Sequence, residues 1–305
     1  MKIIVTGGAG FIGSNIVDAL IKEGHKVAVV DNLSTGREEN VNASAQFFNA
    51  DITDAEALEN VFEDFRPEVI FHAAAQIDVR KSVDAPAFDA EINVIGSVNL
   101  FKLAVNYGVR RIAYSSTGGA LYGEPKTLPA AEETPIEPLS PYGVSKYCVE
   151  SYLNYFKRLY GLERVILRYA NVYGPRQDPL GEAGVVAIFT GKILKGEKPV
   201  IYGDGTQTRD YVYVDDVVRA NLIALAGKEG VYNIGTGIET SVNELVNVFG
   251  KVLQAEISPQ YTQARKGEVH RISLDGELAK KELGFAPKVS IEEGLKKTIE
   301  WYKRK

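Results

Sequence analysis

Ile3-Ile4-Val5, running into Thr6-Gly7-Gly8-Ala9-Gly10-Phe11-Ile12-Gly13, decides the fold of this chain. Three consecutive β-branched residues predict a strand, and the apolar spacing from Ile12 to Glu23 predicts a helix, so the glycines sit in a strand-to-helix turn. They fall at Gly7, Gly10 and Gly13, as G-x-x-G-x-x-G rather than G-x-G-x-x-G. The physical demand is similar: a tight turn, close backbone approach to a pyrophosphate, and helix amides facing negative charge. A glycine trio alone describes any βα turn; its place directly between strand and helix makes it a candidate dinucleotide cradle.

Working outward, Val27-Ala28-Val29-Val30, Val69-Ile70-Phe71, Ile112-Ala113-Tyr114 and Val165-Ile166-Leu167 repeat the short apolar strand. Helical spacing separates them at 55–65, with Asp54 as N-cap, and at 91–106. Short strands apolar on both faces, alternating with helices, predict a doubly wound parallel α/β sheet of the Rossmann kind. After Arg168 the alternation loosens, so the expectation is a sheet domain over 1–170 and a smaller mixed α/β lobe over 171–305, with 211–238 returning to the sheet domain.

The second strand ends in Val30-Asp31-Asn32, and Asp31 stands 18 positions beyond Gly13. A carboxylate there accepts from both ribose hydroxyls of an adenosine and repels a 2′-phosphate, which favours NAD over NADP; a solvated turn aspartate is the plainer reading. Asp51-Ile52 has the chemistry to hold an adenine, carboxylate to amine and side chain to ring.

Tyr142-Gly143-Val144-Ser145-Lys146 places a phenol and an ammonium one helical turn apart. A nearby cation lowers a phenol's pKa toward that of a general base, so Lys146 is expected to lower that of Tyr142. The pattern follows Tyr114-Ser115-Ser116-Thr117, at the carboxyl edge of a strand, where open α/β sheets bind ligands. Ser115 and Ser116 read equally well as caps of the next turn.

Composition sets the outer limits. The chain has 305 residues, 45% of them hydrophobic, with a net charge of −5. It lacks the basic surplus of nucleic-acid binders and any membrane-length apolar run. One cysteine, Cys148, and three scattered histidines leave no disulfide and no cysteine- or histidine-rich metal site. Met1-Lys2-Ile3-Ile4-Val5 reads as a strand rather than a leader, so a soluble, cytoplasmic chain without membrane or nucleic-acid partners is expected.

Taken together, Thr6–Gly13, Asp31–Ser34, His72–Ala75, Asn93–Gly96, Ser115–Thr117, Tyr142–Lys146, Arg168–Arg176 and Arg209–Asp216 resemble the extended short-chain dehydrogenase/reductase family. Within it the likeness is to the UDP-glucose 4-epimerases, and it runs the whole chain. The resemblance implies NAD-dependent inversion at C4 of a UDP-hexose, UDP-galactose to UDP-glucose, through a transient 4-keto sugar. It implies Tyr142 as the base toward the sugar 4-hydroxyl, Lys146 beside it, and Thr117 bonding the 4-oxygen. Phe11, Ile12, Asn32, Ser34, Ala73, Ala74, Ala75, Gln76, Asn93 and Tyr169 match cofactor-lining positions, together with Ser115. Asn171, Arg209, Arg265 and Glu268 match contacts to the nucleotide-sugar, Tyr202 and Gly203 lie toward the base, and helices near 86–107 and 143–160 pair into a homodimer. Dehydratases of this kind carry an acid after the threonine, where this chain has Gly118-Gly119. UDP-N-acetylhexosamine and UDP-glucuronate 4-epimerases are the competing readings within the family. A dehydrogenase that releases its NADH and a non-catalytic nucleotide sensor are those from other classes.

Overall fold

The computed structural model describes residues 1–179, 184–264 and 269–305, which form two compact units. The first comprises Met1–Thr117, Ser140–Arg168 and Val218–Tyr232. Its strands are β1 (Lys2–Thr6), β2 (Lys26–Asp31), β3 (Gln46–Asn49), β4 (Val69–His72), β5 (Arg111–Thr117) and β6 (Glu163–Tyr169), joined at the sheet edge by Gly230–Ile234. Across the sheet the order is Gly230–Ile234, β6, β5, β4, β1, β2, β3, and the pairings of β1 with β2 and β4, β2 with β3, and β4 with β5 are parallel. The chain therefore reverses direction across the sheet between β1 and β4, the switch point at which such sheets open a ligand crevice.

Helices cover the sheet on both faces. Helix α1 (Phe11–Lys22) buries Ile16, Val17 and Leu20. Helix α2 (Ala55–Phe65) buries Leu58, Val61 and Phe62 in one cluster with Leu100 and Phe101 of Gly96–Asn106, Val149, Leu153 and Phe156 of Pro141–Tyr160, and Ile4, Ile70 and Ile112 of the sheet. Each such side chain contributes roughly 1.5–3 kcal/mol by leaving water. Asp54 caps α2 as its position predicts, accepting from the Ala57 amide at 3.0 Å.

Three features differ from the sequence reading. Strand β3 has exposed ends and only half-buried phenylalanines, because it is the sheet edge. The stretch 91–106 is not one regular helix: Glu91–Ile95 is a π turn leading into Gly96–Asn106, a form often found at functional sites. The units also exchange chain earlier than residue 170, since 118–139 joins the second unit, and the segment returning to the first is 218–232 rather than 211–238.

The second unit pairs Asn171–Tyr173 with Tyr211–Tyr213, Thr208–Arg209 with Thr240–Ser241, and Val200–Tyr202 with Gln260–Thr262. The helices Val185–Leu194 and Val242–Leu253 pack on Ile291–Lys303, burying Phe189, Leu245, Phe249, Leu295 and Ile299. Asp210 pins its loops, accepting from the amides of Thr236, Gly237 and Leu274.

Candidate active site

The glycine turn is built as its spacing requires. Gly7 adopts a left-handed φ of +67°, and a Cβ there would lie 2.7 Å from the Ala74 amide nitrogen at the end of β4. A Cβ on Gly13 would lie 2.1 Å from the Gly7 carbonyl oxygen. No side chain caps the start of α1 at Gly10, which leaves its first amides, from Phe11 onward, to an outside acceptor. The cradle lies at the switch point.

Asp31 ends β2 and is buried. One carboxylate oxygen accepts from the Ala9 amide at 3.0 Å and the other from the Leu33 amide at 2.9 Å. Each oxygen keeps a lone pair. Burial pushes the carboxyl above its ordinary value, opposed by the Leu33 and Ala9 amides. Asn32 donates to Asp51 at 2.6 Å and accepts from the Ser34 amide, so the residues expected around the adenosine form one connected edge. Burial works against the Asp51 charge, but the Thr53 amide and hydroxyl and Asn32 hold its pKa below the usual carboxylate value. Ile52 is buried beside them.

Sequence reasoning gave His72 a place in a motif but no task. Its ring is wholly buried, Nδ1 2.7 Å from the Thr6 hydroxyl and Nε2 2.8 Å from Ser97 Oγ. Burial, then the Lys146 charge, drives its pKa down to about 3, so the ring is neutral. Ser97 spends its only hydrogen on the Asn93 carbonyl, so it must accept from Nε2–H. Nδ1 then accepts from Thr6, whose oxygen accepts from the Ala74 amide. One directed chain of hydrogen bonds thus joins the glycine turn to the π turn.

From there the network continues. Asn93 accepts from the Gln76 amide at 2.8 Å and donates to the Gln76 carbonyl and Asp89 Oδ1, each at 3.0 Å. The Gln76 side chain donates to Asp89 Oδ1 at 2.8 Å and accepts from the Asp78 amide. Gln76 and Asn93 therefore frame the 73–76 loop with their polar groups.

Helix Pro141–Tyr160 begins where Ser140 accepts from the Gly143 amide and proline occupies the first turn, placing Tyr142 at its start. Tyr142, Lys146 and Glu150 follow at intervals of four, on one face of a helix that packs against β5. Lys146 is buried, its Nζ 4.5 Å from the centre of the Tyr114 ring. Glu150 accepts from Ser116 at 2.6 Å and from Arg168 Nε and Nη2 at 3.0 and 2.7 Å, tying the helix to the strand end that carries Ser115 and Thr117. Burial drops the Lys146 pKa to about 7, against the opposing pull of Glu150 and Asp89. Tyr142 departs from expectation: burial and the Asp89 carboxylate hold its phenol above the ordinary value. Asp89 and Glu150 are the functional candidates sequence reasoning missed. Glu150 was detectable as the next member of the four-residue series after Tyr142 and Lys146.

The sequence profile of the NAD dependent epimerase/dehydratase family matches residues 3–235. The chain belongs to that family. It is 46% identical over 312 residues to the UDP-glucose 4-epimerase of Mycolicibacterium smegmatis, covering 100% of this chain and 99% of that one. Among solved structures it is similar to the UDP-glucose 4-epimerase of Thermotoga maritima with UDP-glucose, at TM-score 0.98 and 53% identity over 100% of this chain and 99% of the other. It is likewise similar to the Thermus thermophilus UDP-glucose 4-epimerase complexed with NAD, at TM-score 0.95 and 44% identity over 99% of each chain.

The remaining residues with expected roles in this epimerase/dehydratase chain belong to the second unit. Tyr169 is buried, Asn171 starts the strand Asn171–Tyr173, and Arg209 Nη1 donates to the Thr208 carbonyl at 2.8 Å. Arg265 and Glu268 lie outside the described residues. At Gly118, where the dehydratases carry an acid, a Cβ would lie 2.4 Å from Leu274 Cδ1, so a side chain there would have to displace the Leu274 tip. Cys148, the one cysteine, is half-buried. Among the described residues no cluster of histidine, cysteine and carboxylates has the makings of a metal site, and no helix is long and apolar enough to cross a membrane.

Proposed function

We propose that this chain is an isomerase that inverts C4 of a UDP-hexose, interconverting UDP-galactose and UDP-glucose with NAD as resident cofactor. The observation that carries this is near-complete coverage, at 46% and 53% identity, of relatives bearing that activity in their names. NAD fits the residues present: a turn folded so tightly that a Cβ on Gly7 or Gly13 would strike backbone, uncapped α1 amides beside it, and a buried Asp31 with a lone pair free on each oxygen. When bound, NAD would supply a reversible hydride acceptor for C4, the chemistry that a 4-keto route to inversion requires.

The protein's residues supply the rest. Tyr142 takes the 4-hydroxyl proton and later returns it, and Thr117 bonds the 4-oxygen at the end of β5. Lys146 adds a positive charge whose strength near neutrality Glu150 and Asp89 maintain. With no acid at Gly118 or Gly119, neither of these positions drives loss of water. Asn171, Arg209, Arg265 and Glu268 are assigned to the nucleotide-sugar, where a planar guanidinium suits a diphosphate.

The functional form proposed is a homodimer. Val144, Tyr147, Tyr155 and Leu159 recur along one side of Pro141–Tyr160 and are exposed, as are Val83, Phe88 and Ile95 on segments packed beside it. An uncovered apolar stripe of this kind marks an association surface.

The test is to incubate the purified protein with UDP-galactose, UDP-N-acetylgalactosamine and UDP-galacturonate, without added NAD, and follow C4 by proton NMR. Inversion of UDP-galactose ahead of the others supports the reading. No inversion of any sugar, or stoichiometric release of NADH, overturns it.

A further inference from the structure

Asp89 is the one fully buried side chain near Tyr142 and Lys146 whose charge the described structure leaves half spent. It lies on Pro86–Ala90, a single turn packed against Pro141–Tyr160. Oδ1 takes two hydrogen bonds, from Gln76 Nε2 and Asn93 Nδ2. Oδ2 is buried with no partner among the described residues. A buried carboxylate normally protonates or finds a cation, because leaving charge in low dielectric is costly. Here two neutral amides hold it in place without neutralising it.

Other charges facing this point are few. Glu150 is engaged by Arg168 and Ser116. His72 is neutral, and Tyr114 presents a ring whose phenol burial holds well above its usual value. Arg80, Lys81 and Asp84, on the adjoining helix Val79–Asp84, are exposed and screened by water. Glu91, at the start of the π turn, is exposed as well.

We infer that Asp89 is a positioning residue for this site, fixing Gln76 and Asn93 through one oxygen and setting the proton balance between Lys146 and Tyr142 with the charge left on the other. The inference rests on the roles proposed above for Tyr142 and Lys146. Asp89 favours the protonated form of both groups, and it is among the charges that raise each of them. Its two effects oppose each other in function, keeping Lys146 cationic while making Tyr142 harder to ionise. Removing the charge lowers both proton affinities, so the direction of the shift does not depend on which group governs a given limb.

Asp89→Asn keeps the shape and removes the charge. In the full chain, ¹³C-labelled lysine NMR, with Lys146 assigned by Lys146→Met, should show its titration moving to lower pH by on the order of one unit. The acid limb of kcat/KM should move the same way, and Asp89→Glu should restore both. Asp89→Ser is the second charge-removing variant if Asp89→Asn does not fold. An unmoved lysine titration in a folded variant overturns the inference, even where the rate falls, because a purely structural aspartate changes rate without changing proton affinity. The NMR readout needs no turnover, so an inactive wild type would refute the proposed function separately.

Discussion

Replacing Glu150 with alanine should be among the most destabilising single changes available in the first unit. The side chains of Glu150 and Arg168 are 2% and 6% exposed, so their pairing takes place almost without water. Glu150 closes three contacts, at 3.0 and 2.7 Å to Arg168 and 2.6 Å to Ser116. Its removal leaves a buried guanidinium without its counter-charge, a loss of about 3–5 kcal/mol in comparable pairs. The Ser116 hydroxyl loses its acceptor, at about 1 kcal/mol more. A total of about 4–6 kcal/mol is a large share of the roughly 5–15 kcal/mol that holds a folded protein together. Equilibrium urea unfolding of the nucleotide-free protein measures it. The double variant Glu150→Leu with Arg168→Met removes both charges and should recover most of the loss, since a buried ion pair is seldom worth more than a well-packed apolar pair. A loss below about 1 kcal/mol for Glu150→Ala, or a double variant as unstable as the single one, would refute this reasoning.

Two further outcomes follow from the same geometry. Asp31→Ala should weaken NAD binding and relax discrimination against NADP, read by calorimetric titration of the apoprotein; equal native affinity for both cofactors would sink the assignment. His72 binds no proton in the folded state until about pH 3, whereas an unfolded histidine binds one near 6.5, so stability is lost as pH falls through that interval, by about 2 kcal/mol at pH 5. His72→Asn should flatten that slope, and parallel pH–stability curves for the two proteins would exclude the buried neutral ring.

Much of this was legible in the sequence because the deciding features are local. Ile3 to Gly13 combine strand, turn and helix signals within a dozen residues, and the observed contacts of Gly7 and Gly13 are what such a turn demands. Tyr142 and Lys146 share a helix face by spacing alone. What stayed hidden depends on distant parts of the chain. Strand β3 reads poorly because a sheet edge needs few buried residues. The π turn at Glu91–Ile95 has nearly helical periodicity, and its departure shows only in the backbone. Residues 118–139 carry prolines, glycines and no period, so nothing local tells which unit they join. Asp89 lies 53 positions before Tyr142 and looks like a surface aspartate until the fold buries it. The expected depression of the Tyr142 pKa failed for the same reason, since spacing located the lysine but neither the burial of the phenol nor the Asp89 carboxylate that adds to it.

The central claim is that Tyr142 moves the proton of the sugar 4-hydroxyl, and Tyr142→Phe tests it most directly. The substitution removes the phenolic oxygen while leaving the ring and the Lys146 ammonium over Tyr114. Binding of the UDP-sugar, assigned to residues elsewhere, should stay close to native in a calorimetric titration. General-base catalysis contributes about 10²- to 10⁴-fold, so epimerisation of UDP-galactose, followed at C4 by proton NMR, should slow by at least that lower figure. Near-native epimerisation by a folded Tyr142→Phe protein with native-like binding would contradict the account.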